Sequence, residues 1–303
     1  MTIIRLARPD ELPALFNAAT STYLTMLLAK ECTHPQWCLV AEEDSRLVGS
    51  VVLWAMPGNP VPNSVVLLES PWDDPDLRVG LALLDEATAL AKELGATHLG
   101  HVVDSPAQAP QFQLQPERRM DLLRRTGFDV TRDGRRFQWL AAKGIPAQDT
   151  RLEFRSLPEL GPEPFVDLLE ALLADTSDSL LNADVKRLGL REAASELFEE
   201  TKEFEHEPHW WEIGFDPDGT PAAISLPAHN PGFPVIAFVG VHPAHRGKGY
   251  STSVVARGTK MLAENGAAEI RGDCDAANIA MYKGFQRAGY ENFANRMEFG
   301  RAL

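Results

Sequence analysis

The sequence predicts an α/β protein, of the α+β kind, made of two tandem copies of one unit, each a mixed central sheet flanked by helices. The main observation is self-similarity: a strand, an acidic turn and a second strand occupy residues 37–52 and again residues 211–226. In each half a helical pattern then follows and stops at a Gly-Ala pair, which begins with Gly95 in the first copy and Gly266 in the second. Strand patterns that alternate with helical patterns favour this fold class.

A further pair of matching segments follows these helices. Residues 125–128 read Arg-Thr-Gly-Phe, and residues 287–290 read Arg-Ala-Gly-Tyr. Between the copies, residues 141–150 contain glycine, proline and small polar side chains, which are typical of a linker. The sequence therefore predicts two domains, residues 1–142 and residues 151–303.

The most informative stretch of the second copy joins a strand to a helix. Residues 235–239 are apolar, β-branched or aromatic, as in a buried strand, and Pro243 cannot continue a strand ladder. From Tyr250 onwards apolar residues recur at helical spacing until Gly266. Two glycines lie just before this helix, and a helix start offers unpaired N–H groups and a positive dipole end. The turn is therefore predicted to bind a phosphate.

This turn resembles the pyrophosphate-binding segment of the GNAT superfamily of N-acetyltransferases. The family pattern is Arg or Gln, two free positions, Gly, one free position, then Gly or Ala, and residues 246–251 read Arg-Gly-Lys-Gly-Tyr-Ser. Only Ser251 departs from it. A strand, Asn278 and the pair at 289–290 follow in the order of the family, which has an Asn-started helix that ends in Gly-Phe. The resemblance covers residues 151–303, and the tandem arrangement resembles mycothiol synthase-like proteins.

The resemblance implies acetyl-CoA as the cofactor. In the family, the pantetheine arm of coenzyme A pairs with the strand before the turn, and its pyrophosphate lies on the turn and the helix start. The cofactor-binding residues implied in this way are Val239, Gly240, Val241, Arg246, Gly247, Lys248, Gly249, Tyr250, Ser251, Thr252, Asn278 and Phe285.

The first copy lacks this turn. At the aligned position Pro75 has no N–H to offer, and the carboxylates of Asp73, Asp74 and Asp76 bring negative charge that would repel a phosphate. Residues 1–142 are therefore expected to be a degenerate acetyltransferase-like domain without a cofactor.

Three side chains are candidates for the catalysis of acetyl transfer. In the family, a Tyr four residues before the Gly of the Gly-Phe pair usually supplies the proton that the thiolate leaving group takes up. In this sequence Phe285 stands at that position. Tyr282 lies one helical turn earlier on a similar face, so it is either the nearest proton donor or a Tyr packed at the sheet edge. Glu212 and His229 are candidate general bases, with a solvated or turn position as the alternative for each.

Composition restricts the partners and the compartment. The chain has 43 Asp and Glu against 29 Lys and Arg, a formal net charge of −14, which disfavours nucleic acid and favours partners of amine character. Its three cysteines form no metal-ligand spacing, so no metal is expected. The sequence has neither a signal-like start nor a long apolar run, which predicts a cytoplasmic protein without a membrane partner. A monomer or a homodimer is expected.

These observations lead to one main functional hypothesis. The chain is expected to be an acetyl-CoA-dependent N-acetyltransferase that moves an acetyl group from coenzyme A to an amine of a small molecule. The alternatives are an acyl-CoA-binding pseudoenzyme or sensor, which the Phe at position 285 makes plausible, and a protein or peptide N-acetyltransferase.

Overall fold

The computed structural model of the chain has the predicted fold class, with mixed sheets flanked by helices. Within the part of the chain that it describes, no helix is long and apolar enough to cross a membrane. The described residues are 2–12, 16–230 and 232–303.

The elements follow one another in the order that the repeat predicts. The strands are β1 (Ile3–Leu6), β2 (Cys38–Glu43), β3 (Arg46–Trp54), β4 (Ser64–Glu69), β5 (His98–Ser105), β6 (Asp129–Leu140), β7 (Glu153–Ser156), β8 (Glu212–Phe215), β9 (Pro221–His229), β10 (Pro234–Val241), β11 (Glu269–Asp275) and β12 (Glu291–Ala302). The helices are α1 (Ala18–Ala29), α2 (Arg78–Glu93), α3 (Pro116–Arg125), α4 (Leu157–Leu160), α5 (Glu163–Leu173), α6 (Ser179–Leu188), α7 (Leu190–Lys202), α8 (Tyr250–Glu264) and α9 (Ile279–Arg287).

The chain forms two compact units. Unit 1 combines the described part of Met1–Asp133 with Ala294–Leu303, and unit 2 is Gly134–Phe293. Most of β6 therefore belongs to unit 2, and most of β12 belongs to unit 1. This division differs from the predicted domain boundaries, because each unit contains one strand that comes from the opposite half of the sequence.

Unit 1 has a sheet in the order β1-β2-β3-β4-β5-β12. Its central strands are buried on both faces, as β2 illustrates. Cys38 and Val40 pack in the same cluster as Leu24 of α1, while Leu39 and Ala41 pack in the cluster that contains the buried face of α2. Successive side chains of a strand point to opposite faces, so the short apolar run of β2 packs against both α1 and α2.

Unit 2 has a sheet in the order β6-β11-β10-β9-β8-β7. Helices α5 and α7 contribute Phe165 and Phe198 to its core, and α8 contributes Val255 and Leu262. Helices α6 and α7 follow each other directly and are separated by Gly189, whose φ of +86° interrupts the helix.

Candidate functional site

The predicted turn lies between β10 and α8. After β10 the chain forms a short 3₁₀ turn over Pro243–His245, and Gly247 and Gly249 then adopt φ angles of +80° and +83°. A Cβ atom added to Gly247 would meet no atom within 4 Å, so the turn faces open space. Within the described residues, the N–H groups of Gly247 and Gly249 donate no hydrogen bond. The turn therefore presents free donors at the start of a helix, as an anion site requires.

The first turn of α8 has one unsatisfied hydroxyl. Thr252 Oγ1 is buried and has no hydrogen-bond partner among the described residues, which is unusual for a buried polar atom. Ser251, which departs from the family pattern, donates its hydroxyl to the carbonyl oxygen of Ala280 at 3.3 Å. A Cβ on Gly284 would lie only 3.0 Å from Ser251 Cβ, so α8 and α9 approach closely here. The small side chain of Ser251 is thus compatible with this packing.

Strands β10 and β11 part beyond the beginning of their parallel pairing. Among the described residues their register consists of Val235 opposite Arg271, whereas β10 stays paired with β9 as far as Val241. Ala237 is an extra residue in β10, because Ile236 and Phe238 lie opposite successive residues of β9. Such a bulge bends a strand and inverts the facing of its side chains. The bulge at Ala237 lies at the start of the part of β10 that is not paired with β11.

The bulge also explains the position of Gly240. Ile236 lies against Gly258 of α8, but a Cβ on Gly240 would lie 2.6 Å from Leu172 Cδ1 of α5. Residues four apart in a regular strand share a face, so the inversion at Ala237 is what turns Gly240 toward α5. The predicted residues Val239, Gly240 and Val241 therefore border the parted strands, and Gly240 is required there for helix packing.

The basic side chains of the turn are only partly free. His245 Nδ1 and Lys248 Nζ lie 3.2 Å and 3.7 Å from the Asp216 carboxylate. Burial alone would raise the pKa of Asp216, but hydrogen bonds from Thr220 and Asp218 and the nearby His245 lower it overall. The side chains of His245 and Lys248 thus point toward the β8–β9 turn.

Arg246 has a partner outside the turn. Its guanidinium donates to the carboxylate of Asp175 and, at 2.8 Å, to the backbone oxygen of the same residue. Asp175 lies between α5 and α6 and is mostly exposed. Arg246 is therefore held beside the turn by an exposed ion pair that a phosphate can displace.

A second arginine, which sequence reasoning missed, lies at the turn. Arg151 donates through Nη1 to the carbonyl oxygen of Lys248 at 2.9 Å, and its Cζ lies 5.1 Å from the centroid of the Tyr250 ring. Arg151 directly follows the predicted linker. No local pattern in the sequence marks a cation at such a position as part of a turn about a hundred residues away.

Asn278 directly precedes α9, and Phe285 lies on it. Asn278 caps this helix, because its side-chain oxygen accepts from the N–H of Met281 at 3.1 Å. Phe285 is completely buried and stacks on Phe137 with ring centroids 4.7 Å apart. The prediction that Phe285 contacts the cofactor needs correction, since its ring fills the core against β11 and leaves no exposed surface.

The structure also argues against Glu212 as a general base. This residue of β8 is buried, and its carboxylate accepts from Arg257 Nε at 2.6 Å and from Nη2 at 2.7 Å. The Glu212 carboxylate in turn raises the pKa of Arg257. A buried carboxylate in a two-pronged ion pair is poorly placed to take a proton from a substrate.

Tyr282 and His229 lie in different surroundings. Tyr282 is half-buried on α9, close to Ala280, and meets Phe137 edge-on with centroids 5.2 Å apart. His229 ends β9 opposite Pro234, at the far end of β10 from the turn. At about 3.4 Å per residue, the two ends of β10 are about 24 Å apart. Only Tyr282 is therefore near the turn.

Comparison with known proteins supports the resemblance. A model described as the acetyltransferase (GNAT) family matches residues 179–290, from α6 to the end of α9. Residues 179–290 form a GNAT acetyltransferase domain. This family transfers acyl groups from acetyl-CoA. The free N–H groups of the turn are consistent with that cofactor, because coenzyme A carries a pyrophosphate. No curated protein sequence matches the chain.

Solved GNAT structures have a similar fold over the whole chain. A GCN5-related N-acetyltransferase from Sphaerobacter thermophilus is 15% identical, with a TM-score of 0.64 and coverage of 99% of this chain and 95% of that one. A tandem GNAT protein from the clavulanic acid biosynthesis pathway is 16% identical, with a TM-score of 0.52 and coverage of 100% and 98%. A glucosamine N-acetyltransferase region of a fungal multi-domain β-N-acetylglucosaminidase is 15% identical, with a TM-score of 0.53 and coverage of 99% and 38%.

The tandem GNAT architecture invites comparison of the site with its counterpart in unit 1. There the helix start of α2 is already satisfied by the chain itself. The Asp74 carboxylate accepts from the N–H groups of Asp76 and Arg78, each at 3.1 Å. A side-chain anion therefore occupies the place that a phosphate takes at a helix start.

The gap between β4 and β5 of unit 1 is also filled. These parallel strands have one register pair among the described residues, Ser64 with Gly100, as in the parted strands of unit 2. The fully buried Arg119 donates to the carbonyl oxygen of Leu68 on β4. Gln113 donates to Val102 of β5 at 2.9 Å and accepts from Arg119 at 3.3 Å. These two side chains bridge the strands at the place that corresponds to the parted strands of unit 2.

Proposed function

We propose that the chain is an acetyl-CoA-dependent N-acetyltransferase that transfers the acetyl group to an amine of a small molecule. The observation that carries this proposal is the open glycine turn beside the parted strands β10 and β11. Free N–H groups at the start of α8, and the unpartnered hydroxyl of Thr252, fit a pyrophosphate. The unpaired edge of β10 fits an extended amide-containing arm, which can bind as an added strand.

The residues then divide into binding and catalytic roles. Bound acetyl-CoA would supply a thioester: attack of an amine on its carbonyl carbon would form an amide and break the carbon–sulfur bond, with the amine losing a proton and the departing thiolate taking one up. Val239 and Val241 offer backbone groups to the arm, and Arg246 adds charge beside the pyrophosphate. Tyr282 is the proton donor nearest to the turn, and His229 is a candidate base at the far end of β10.

A small cationic amine is the acceptor that the charges favour. The formal net charge of −14 attracts an ammonium group and repels acidic acceptors. The fungal structure with a similar fold is described as acting on glucosamine, an amino sugar. A coenzyme-A-binding sensor is the second candidate, because Glu212 is sequestered by Arg257 and Phe285 lies in the core.

We further propose that only unit 2, whose sequence lies mostly within residues 151–303, holds a cofactor. In unit 1 the Asp74 carboxylate occupies the helix start, and Arg119 with Gln113 fills the gap between β4 and β5. Unit 1 then has a structural role without a cofactor of its own.

Titration calorimetry with coenzyme A tests this assignment. We expect one molecule to bind per chain, and we expect thiol release from acetyl-CoA in the presence of some member of an amine and amino-sugar panel. Two equivalent sites would contradict the proposed role of unit 1. Binding without turnover across amines and peptides would favour the sensor, and a protein acceptor alone would favour the peptide-modifying alternative.

Arg246 and Asp175 should have opposite effects on cofactor affinity. A charge-assisted hydrogen bond contributes about 1.5–3 kcal/mol, and release from an exposed ion pair costs about 0–1 kcal/mol. We therefore expect Arg246→Ala to weaken coenzyme A binding about tenfold and Asp175→Asn to tighten it up to a few fold, as measured by calorimetry. The matched control is Asp167→Asn on α5, which breaks a comparable exposed pair with Arg191 of α7. Equal affinities in all three variants would show that Arg246 does not contact the cofactor.

A further inference from the structure

Arg151 lies on the glycine turn although it comes from a distant part of the sequence. Besides its bond to Lys248, its Nη2 lies 3.8 Å from the position that a Cβ on Gly249 would occupy. Its guanidinium also lies over the ring of Tyr250, the first residue of α8. The cation thus lies against the turn, on the carbonyl side of the peptide that joins Lys248 to Gly249.

The chain before Arg151 fixes this placement. Asp149 accepts from Arg151 Nε at 2.9 Å and from Nη2 at 2.6 Å, and it also accepts from the hydroxyl of Ser253. Gln148 donates to the carbonyl oxygen of Ala256 at 3.1 Å. Residues 148–151 are therefore fastened along the beginning of α8. An arginine held in this way has already lost much of its rotamer freedom, so less entropy is lost when it binds a ligand.

The guanidinium keeps unused donors. An arginine has N–H groups on Nε and two on each terminal nitrogen. The bonds to Asp149 and Lys248 leave one N–H on each terminal nitrogen without an acceptor among the described residues. The side chain is 54% exposed, which gives a ligand access to these groups.

We propose that Arg151 binds a phosphate group of the cofactor, which adds a cation from just after the linker to the turn of the GNAT domain. This inference rests on the proposed function. The phosphate is either part of the pyrophosphate or the 3′-phosphate of coenzyme A, since both offer oxygens that pair well with a guanidinium.

The test compares the affinities of wild type and Arg151→Met for coenzyme A and for 3′-dephospho-coenzyme A by calorimetry. We expect the substitution to weaken coenzyme A binding about tenfold. A loss for both ligands assigns Arg151 to the pyrophosphate, and a loss for coenzyme A alone assigns it to the 3′-phosphate. Because an ionic contact is screened by salt, the affinity of Arg151→Met should also depend less on ionic strength than that of wild type.

Arg155→Met is a closely matched control. Arg155 is 45% exposed, pairs with Glu153 two residues earlier at 2.8 Å, and lies 4.7 Å from the Phe215 ring. It repeats the surroundings of Arg151 away from the turn, so its loss should leave both affinities unchanged. Undiminished affinity in Arg151→Met, or a loss with unchanged salt dependence, would overturn the inference. A wild type that binds no coenzyme A would instead refute the proposed function.

Discussion

Replacing Arg119 by alanine is expected to lower the free energy of unfolding by about 3–5 kcal/mol, the range for truncating a large, fully buried side chain. The side chain is fully buried and bonds to Glu69 Oε1 at 2.7 Å, to the carbonyl oxygen of Leu114 at 2.6 Å and to that of Leu68. Alanine leaves these acceptors without a donor and also leaves a cavity. Urea unfolding gives the loss from the shift of the midpoint.

Arg125→Ala is the control on the same helix. Arg125 is largely exposed and pairs with Asp121 one turn earlier, so its loss should cost less than about 0.5 kcal/mol. Arg119→Lys should recover only part of the stability, because an ammonium cannot reproduce the planar fork. A loss below 1 kcal/mol in Arg119→Ala would contradict the role of this residue as the bridge between β4 and β5.

Local features of the site could be predicted because they depend on neighbouring residues. A β-branched run specifies β10, Pro243 ends it, and the two glycines supply the positive φ angles of the turn before α8. The carboxylate of Asp74 could likewise be placed at the helix start of α2, because the N–H groups that donate to it belong to residues within four positions.

Features that depend on distant partners could not be predicted in this way. Periodicity cannot show that 134–140 pairs with β11, since strand pairing is decided by the whole sheet. The partner of Glu212 is a residue of α8 far along the sequence, and a carboxylate on a strand carries no local sign of that pair. The same holds for Arg151, which bonds across about a hundred residues.

The burial of Phe285 was within reach of the sequence. Met281 and Phe285 are four residues apart on α9, with Ala288 one turn further, so they share an apolar helix face. That face predicts a core position for Phe285, whereas the resemblance to the family implies contact with the cofactor.

Glu212→Gln is expected to lower the free energy of unfolding by about 2–3 kcal/mol while leaving turnover in the folded protein unchanged. The substitution keeps the size of the side chain but removes the charge opposite Arg257, and hydrogen bonds to charged groups contribute about 1.5–3 kcal/mol. Denaturant unfolding measures the first effect, and thiol release well below the unfolding midpoint measures the second.

The partner variant Arg257→Met should lower the free energy of unfolding by a similar amount. The double variant should lose less stability than the sum of the two single variants, because the pair is then removed as a unit. A general base would behave differently: its loss lowers kcat by about 10²–10⁴-fold at every temperature, with little change in stability. That result would return Glu212 to the catalytic site.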